Sequence, residues 1–369
     1  MKIPPFAIER YYAEHEFAVP YMLSSSDCEA VSVQYLLDLA SIETRESWKK
    51  LTLGYTESQG HPELRSLIAD LYTTVEKENV IVAAPEECIF LTMHALLQAG
   101  DHIVTMFPAY QSLYEIANSI GCKVSKWEPE NDHPWLFDLE SLEKSLRPNT
   151  ILVVVNFPHN PTGYLPSKDD FQQLAEILRD RGIHLFSDEI FRYLEYEPSD
   201  MLPSASDLYE NAIVLGGLSK AFGMPGARIG WLASQNIDVI RQISTLKDYT
   251  TICNSAPSEV LGIMALQNKS VLVDSAVKRL IRNLEILDQF MASHIDQFKW
   301  HRPQAGPVCF TRLKGDQSAA EFCDTIVKNT GVLLVPANIF HFGDRHVRIG
   351  FGRENFPEVL DRLNTYLTR

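Results

Sequence analysis

Between residues 80 and 233 the chain alternates two hydrophobic patterns. Short, nearly unbroken Val/Ile/Leu runs predict strands at 103–106, 123–127, 151–155, 183–186, 212–215 and 229–233. Between several of them, apolar residues recur every three or four positions and predict helices, as at 111–120 and 168–179. Strands that are apolar on both faces and separated by helices imply a mainly parallel sheet covered on each side.

The flanking regions read differently. Residues 1 to about 45 contain Pro, Tyr and Ser, with one helical pattern near 31–40. A turn-rich loop at 53–60 is followed by His61-Pro62, which opens a helix with Leu64, Leu67, Ile68 and Leu71 at helical spacing. After the alternating region comes a long helical stretch at 255–298, broken near Asn268-Lys269. A strand at 308–313, a helix at 319–328, strands at 332–335 and 346–351 and a helix at 356–367 complete the chain. The pattern predicts a large domain over 45–255 and a smaller α/β domain built from 1–44 and 256–369. Internal repeats and low-complexity linkers are absent from the sequence.

Bulk properties narrow the function classes. At 369 residues the chain exceeds one typical core. A net charge of −15 argues against a nucleic-acid or anionic-membrane surface. The six cysteines show no C-x-x-C and no ligand-like clustering, which predicts buried thiols in a reducing compartment and no metal site. The first residues lack a signal-peptide core and no apolar run is long enough to span a bilayer, so a cytoplasmic protein is expected.

Parallel sheets bind ligands beyond the carboxyl ends of their strands, so the loops there carry the candidate chemistry. The run Ala212 to Leu215 delivers the chain into a fifteen-residue segment, Gly216 to Gly230, with six Gly or Pro. Such a backbone is expected to bend tightly around something held close. Lys220 and Arg228 on this segment suit a phosphorylated ligand whose carbonyl the amine can capture. A surface turn with a solvated lysine is the plain alternative.

Other strand ends add to it. After 151–155, Asn156-Phe157-Pro158-His159-Asn160-Pro161-Thr162-Gly163 must form an extended, turned loop. Asn160 either caps it or projects an amide at a ligand. Asp188, after 183–186, either caps a helix or pairs with a cation such as a ring nitrogen. Tyr110, after Phe107-Pro108-Ala109, is either core or a ring stacker. Ala83-Ala84-Pro85-Glu86 precedes a helix at 87–98, whose exposed amides could bind phosphate. With no Gly-x-Gly-x-x-Gly after the first strand and no Gly-Lys-Ser/Thr loop, dinucleotide and nucleoside-triphosphate readings fail.

With these residues in their order, the chain resembles the fold-type I pyridoxal-phosphate-dependent aminotransferases of class I/II over nearly its whole length. The motifs are Tyr55…Gly60…Leu64-Arg65, Asn156-x-Pro-x-Asn160-Pro-Thr-Gly163, Asp188-Glu189-Ile190, Ser219-Lys220-x-Phe-Gly-x-Pro-Gly-x-Arg228-x-Gly230 and a late Arg348. Gly216-Gly217-Leu218-Ser219-Lys220 also looks like a subgroup containing capreomycidine synthase-like cyclising enzymes. The resemblance implies pyridoxal 5′-phosphate as cofactor, an amino acid and a 2-oxo acid as substrates, and a homodimer with shared active sites.

It also implies roles. Lys220 would form the internal Schiff base and then shuttle a proton at the substrate Cα. Asp188 would pair with the ring nitrogen, Asn160 would donate to the phenolic oxygen, and Tyr110 would stack on the ring. Arg228 and the Ala84-Pro85-Glu86 turn would hold the phosphate, with Tyr55 reaching the phosphate of the neighbouring subunit. Arg348 would take the substrate α-carboxylate, with Asn160 beside it. For Arg348 a surface ion pair is the alternative.

The sequence departs from the family pattern at three places. Phe191 stands where many relatives carry Tyr, which removes a hydroxyl from the phenolate and should raise the proton affinity of the imine. Gly217 replaces a common phosphate-binding serine. Pro85 has no N–H to give to the phosphate, leaving Glu86 to contribute its backbone amide with its carboxylate turned away. These losses predict weaker cofactor retention. The same cofactor also serves lyases, decarboxylases and cyclising enzymes, which stay open as alternatives to transamination. A non-enzymatic regulator fits less well, because the acidic chain keeps both Lys220 and Arg348 and has no appended DNA-binding region.

Overall fold

The computed structural model describes residues 2–130 and 135–368. Its central sheet comprises β1 (Val80–Ala83), β2 (His102–Met106), β3 (Lys123–Trp127), β4 (Thr150–Asn156), β5 (His184–Asp188), β6 (Ala212–Gly217) and β7 (Gly230–Ala233). The spatial order is β1-β7-β6-β5-β4-β2-β3. Strands β2 to β6 pair in parallel.

The last strand differs from the sequence expectation. β7 runs antiparallel to both β6 and β1. A parallel return needs a crossover long enough to recross the sheet, usually a helix. Here the link from β6 holds only the short turn of helix Pro225–Ala227, so the chain comes straight back. The reversal matters for chemistry, because β7 begins at the same sheet edge where its neighbours end. β1 is a further strand that the sequence reading missed. Four apolar residues running into a proline helix start are too few to show a period.

Alternating side chains of the strands feed two layers. Ile103, Leu152, Val154, Phe186 and Ile213 pack on one side, with Cys88, Ile89 and Leu91 of the helix α1 (Pro85–Leu96) and Leu113 and Ile116 of α2 (Ser112–Ile120). Val104, Val153, Val155, Leu185 and Val214 face the other way, onto Phe171, Leu174 and Leu178 of α3 (Lys168–Arg181). Each such fully buried side chain contributes about 1.5–3 kcal/mol of transfer free energy.

A smaller antiparallel sheet follows, of β8 (Phe298–Lys299), β9 (Val308–Leu313), β10 (Val335–Pro336) and β11 (His346–Gly350), ordered β10-β11-β9-β8. The strand expected at 332–335 is two pieces: Val332–Leu333 pairs in parallel with Tyr21–Met22, and only from Val335 does the chain join β11. Phe298, expected to end a helix, starts β8 instead. The fold is therefore the expected α/β arrangement, a mainly parallel sheet flanked by helices with a smaller α/β unit beside it.

Two features tie these parts together. The helix Ala256–Gln267 packs on the large sheet through Gly262, where an added Cβ would lie 3.3 Å from Leu64 and 3.4 Å from Leu218. It then bends by 77° into Lys269–Ser293, and among the described residues no single helix is long and apolar enough to cross a membrane. The N-terminal helix Ala7–His15 was not anticipated, and it bridges the two sheets. Its first amide donates to Gln111 Oε1 at 2.8 Å, and the Tyr11 hydroxyl donates to the Leu334 carbonyl at 2.7 Å.

Candidate active site

Strand β5 ends in two acids with different fates. Successive side chains point to opposite faces. Glu189 accepts from Arg192 Nη1 at 3.0 Å, Ser204 Oγ at 3.1 Å and the Ala205 amide at 2.8 Å, which makes it a structural clamp. Asp188 instead lines a cleft at the sheet edge, only 5% exposed. Its Oδ1 accepts from the Ile190 amide at 3.0 Å. Burial pushes its carboxyl up to about 7, against the Ile190 amide and the Lys220 charge, which pull it down.

Strand β4 ends in Asn156, whose amide ties two loops. Nδ2 donates to the Asp188 carbonyl at 2.8 Å, and Oδ1 accepts from the Asn160 amide at 2.8 Å. Asn160 is thereby held at the cleft, and its Oδ1 accepts from Arg348 Nη1 at 3.1 Å.

Arg348 comes from β11, in register with Phe310 of β9 and Val335 of β10. Its side chain is 1% exposed and forms no ion pair with a described residue, so it is not a surface pair. Nη2 donates to the Tyr12 hydroxyl at 2.6 Å and to the Ser24 carbonyl at 2.8 Å, while Nε has no partner. A buried guanidinium left without a carboxylate is an anion site awaiting its ligand.

After β6 the chain turns into the cleft at Ser219-Lys220. Lys220 Nζ donates to Ser26 Oγ at 2.9 Å and lies 5.9 Å from the Phe191 ring centroid. Burial lowers its pKa, Asp27 opposes that, and Arg348 adds to it. The lysine is therefore not a solvated surface group. Gly216 and Gly217 belong to β6 rather than to the turn, and protein atoms crowd them. A Cβ on Gly216 would meet the Trp231 ring, and one on Gly217 would sit 2.7 Å from Ile190 Cδ1. Arg228, exposed on the rim, adopts a left-handed backbone (φ 53°) and donates from Nη1 to the Pro225 carbonyl at 3.2 Å.

The remaining candidates divide. Tyr110 lines the cleft, and its hydroxyl donates to Glu9 Oε1 at 2.8 Å. Pro85 and Glu86, at the start of α1, line it as well. Glu86 stays in the cleft wall rather than turning out of it. It accepts from Ser112 Oγ at 3.3 Å, and burial pushes its carboxyl up to about 7. Ala84, the residue before α1, is outside the cleft lining. Tyr55 is 93% exposed on a distant loop and takes no part in this chain's cleft.

Sequence reasoning missed Asn156 as a positioning group, and it missed the N-terminal helix. Phe6, Glu9, Tyr12 and Glu16 lie on one helical stripe and, with Ser25, Ser26, Asp27 and Arg353, line the mouth, about 520 Å³. Their three- and four-residue spacing was the available signal.

A lowered-pKa amine, a buried carboxyl at the sheet edge and a rim arginine suit a carbonyl-bearing, nitrogen-containing ring with a phosphate. The family model for aminotransferase class I and II matches residues 34–363. This chain belongs to the class I and II aminotransferases.

Among relatives, the capreomycidine synthase of Streptomyces vinaceus is 28% identical, over 95% of this chain and 90% of its own length. An aspartate aminotransferase of Pyrococcus horikoshii is 27% identical, over 85% and 83%. Of solved structures, a PLP-dependent aminotransferase from Streptococcus suis superposes with a TM-score of 0.93 at 29% identity, covering 100% of this chain and 99% of its own. The PLP-dependent cyclase OrfR gives 0.90 at 27%, covering 100% and 98%. The chain is thus an enzyme of this family with pyridoxal 5′-phosphate as its cofactor, and the residues lining the cleft fit that group.

Proposed function

We propose that the enzyme is an aminotransferase exchanging an amino group between an amino acid and a 2-oxo acid. The observation that carries this is the opening of Lys220, Asp188 and the incompletely paired Arg348 onto one cleft. When bound, pyridoxal phosphate supplies an aldehyde that condenses with amines and a ring that accepts an electron pair. Lys220 Nζ carries the aldehyde until substrate displaces it, then takes and returns the proton at Cα. Its lowered pKa favours the neutral amine that this proton transfer needs. Asp188 holds the ring nitrogen, whose positive charge favours the ionised carboxylate. Asn160 and Tyr110 orient the ring, Arg228 and the start of α1 (Pro85, Glu86) take the phosphate, and Arg348 takes the α-carboxylate as a fork.

The test has two stages. Borohydride should bleach the yellow protein and fix the cofactor to the wild-type chain, but not to Lys220→Ala. Amino acids offered singly should then convert the holoenzyme to its pyridoxamine form; labelling elsewhere than Lys220 would overturn the assignment. A second reading, a lyase, decarboxylase or cyclising reaction, is supported by the likeness to a capreomycidine synthase and to a PLP-dependent cyclase. It predicts turnover without accumulation of the pyridoxamine form.

The same proposal includes a homodimer in which Tyr55 of one copy reaches the phosphate of the other. Supporting it, Tyr55 and Leu53 are 93% and 85% exposed, next to a loop carrying Tyr249 and Ile252 at 87% and 53%. Thr56 Oγ1 donates to the Asn254 carbonyl at 3.4 Å, which joins the two loops. Division into 45–255 and the remaining segments would let Asn160 and Arg348 meet across a closing cleft.

A further inference from the structure

The charges around the cleft are unevenly matched, and the excess lies at its mouth. The inner groups have assignments under the proposed function, on which this inference rests: Lys220 and Asp188 to the cofactor, Arg228 to its phosphate, Arg348 to the α-carboxylate. Of the outer groups, Asp27 and Arg353 satisfy each other, with Nη2 2.9 Å from Oδ2 and 3.2 Å from Oδ1. That leaves Glu9 and Glu16, one helical stripe apart from the same N-terminal helix. Neither forms an ion pair with a described residue. Glu9 receives one neutral hydroxyl, from Tyr110. Glu16 feels Asp27 and Glu9 as like charges which, with its partial burial, raise its pKa.

Tyr12 stands between these two carboxylates and donates no contact to them; its hydroxyl holds Arg348. A ligand whose carboxylate lies on Arg348 therefore extends its other end past Tyr12 toward Glu9 and Glu16. The unpartnered Nε of Arg348, deeply buried, marks the ligand end of the same cleft. Carboxylates brought together without a cation are costly, and a positive group placed among them removes the repulsion. A negative side chain would meet the same repulsion a second time.

We propose that the amino-acid substrate of this enzyme carries a positively charged side chain, an ammonium or a guanidinium, held at the cleft mouth by Glu9 and Glu16. These two residues set specificity and take no part in the bond changes at Cα.

The holoenzyme tests this with L-arginine and L-citrulline, which have nearly the same shape and differ in charge, and with L-glutamate as the opposite charge. Binding is read from the change that each amino acid makes in the absorbance of the bound cofactor, and conversion from the pyridoxamine form. Arginine should bind roughly tenfold more tightly than citrulline, as two partly exposed carboxylates allow, and glutamate most weakly. The ratio should shrink in high salt. Glu16→Gln, which disturbs no hydrogen bond, should bring it toward one, and Glu9→Gln, which keeps an acceptor for Tyr110, should lower it too. Equal binding of arginine and citrulline, preference for glutamate, or no response to arginine overturns the proposal. Tight arginine binding without any pyridoxamine form supports the charge preference and counts instead against transamination.

Discussion

Arg348 and Tyr12 meet across the cleft, with the guanidinium Nη2 donating to the phenolic oxygen at 2.6 Å. One residue belongs to the small sheet and the other to a helix that is anchored at Gln111 beside the large one. The proposed carboxylate site is thus assembled from both ends of the chain. Tyr12→Phe removes one of the acceptors orienting the fork and leaves Asn160 and Ser24 in place. A hydrogen bond to a charged group is worth about 1.5–3 kcal/mol. The expected result is a KM for the amino acid raised roughly tenfold with kcat little changed, since the tyrosine positions a binding group; a fall confined to kcat would contradict it.

The protonation of Asp188 sets a pH dependence. Burial holds its folded-state pKa near 7, whereas an unfolded aspartate titrates near about 3.9. Between those values the folded chain binds more protons, so the stability of the cofactor-free protein falls as pH rises through that window and levels off above it. Glu86 and Glu195, also raised to about 7 by burial, add to the fall. Asp188→Asn keeps an acceptor for the Ile190 amide and removes one contributor. Thermal melts of cofactor-free protein at about pH 5 and about pH 8 should show a smaller drop in Tm for this variant than for wild type. An identical drop would mean that Asp188 does not titrate as stated.

Gly217 replaces a residue type that could hold phosphate, and its surroundings explain why. A Cβ there would lie 2.7 Å from Ile190 Cδ1 and 3.3 Å from Gly230 Cα. Gly217→Ser should therefore destabilise the fold by about 1–3 kcal/mol through overpacking. Adding Ile190→Val should recover part of that loss, read as the midpoint of urea unfolding. Additive losses in the double variant would show that the isoleucine is not the obstacle.

Phe191 lines the cleft and carries no hydroxyl. Phe191→Tyr should offer a donor near Lys220 and shift the visible absorbance titration of the bound cofactor to lower pH. An upward shift would refute that account.

Shared sites make a mixing prediction. Lys220→Ala and Tyr55→Ala chains, each impaired alone, should form hybrid dimers in which one site has both residues intact. Activity should reappear on mixing after mild dissociation; none should reappear if each chain works alone.

Much of this was legible because strand ends are marked in the sequence. Runs such as 151–155 end visibly, and Asn160, Asp188, Lys220 and Arg348 follow or lie within predicted strands. The direction of β7 was not legible, because hydrophobic runs carry no sign of orientation and a loop's length without a helix is the only cue. The roles of Gly216 and Gly217 were misjudged for a related reason: their neighbours, Trp231 and Ile190, are distant or unremarked in sequence. Glu9, Tyr12 and Glu16 escaped notice because a nine-residue helix among prolines and tyrosines gives a weak periodic signal.

That short helix has a practical consequence. It hydrogen-bonds through its first amide and through Tyr11, Tyr12 and Glu9 to groups far along the chain. Trimming the N-terminus past residue 12, or crowding it with an affinity tag, would loosen the grip on substrate while leaving both sheets intact. Such an enzyme would purify well, stay yellow and work poorly.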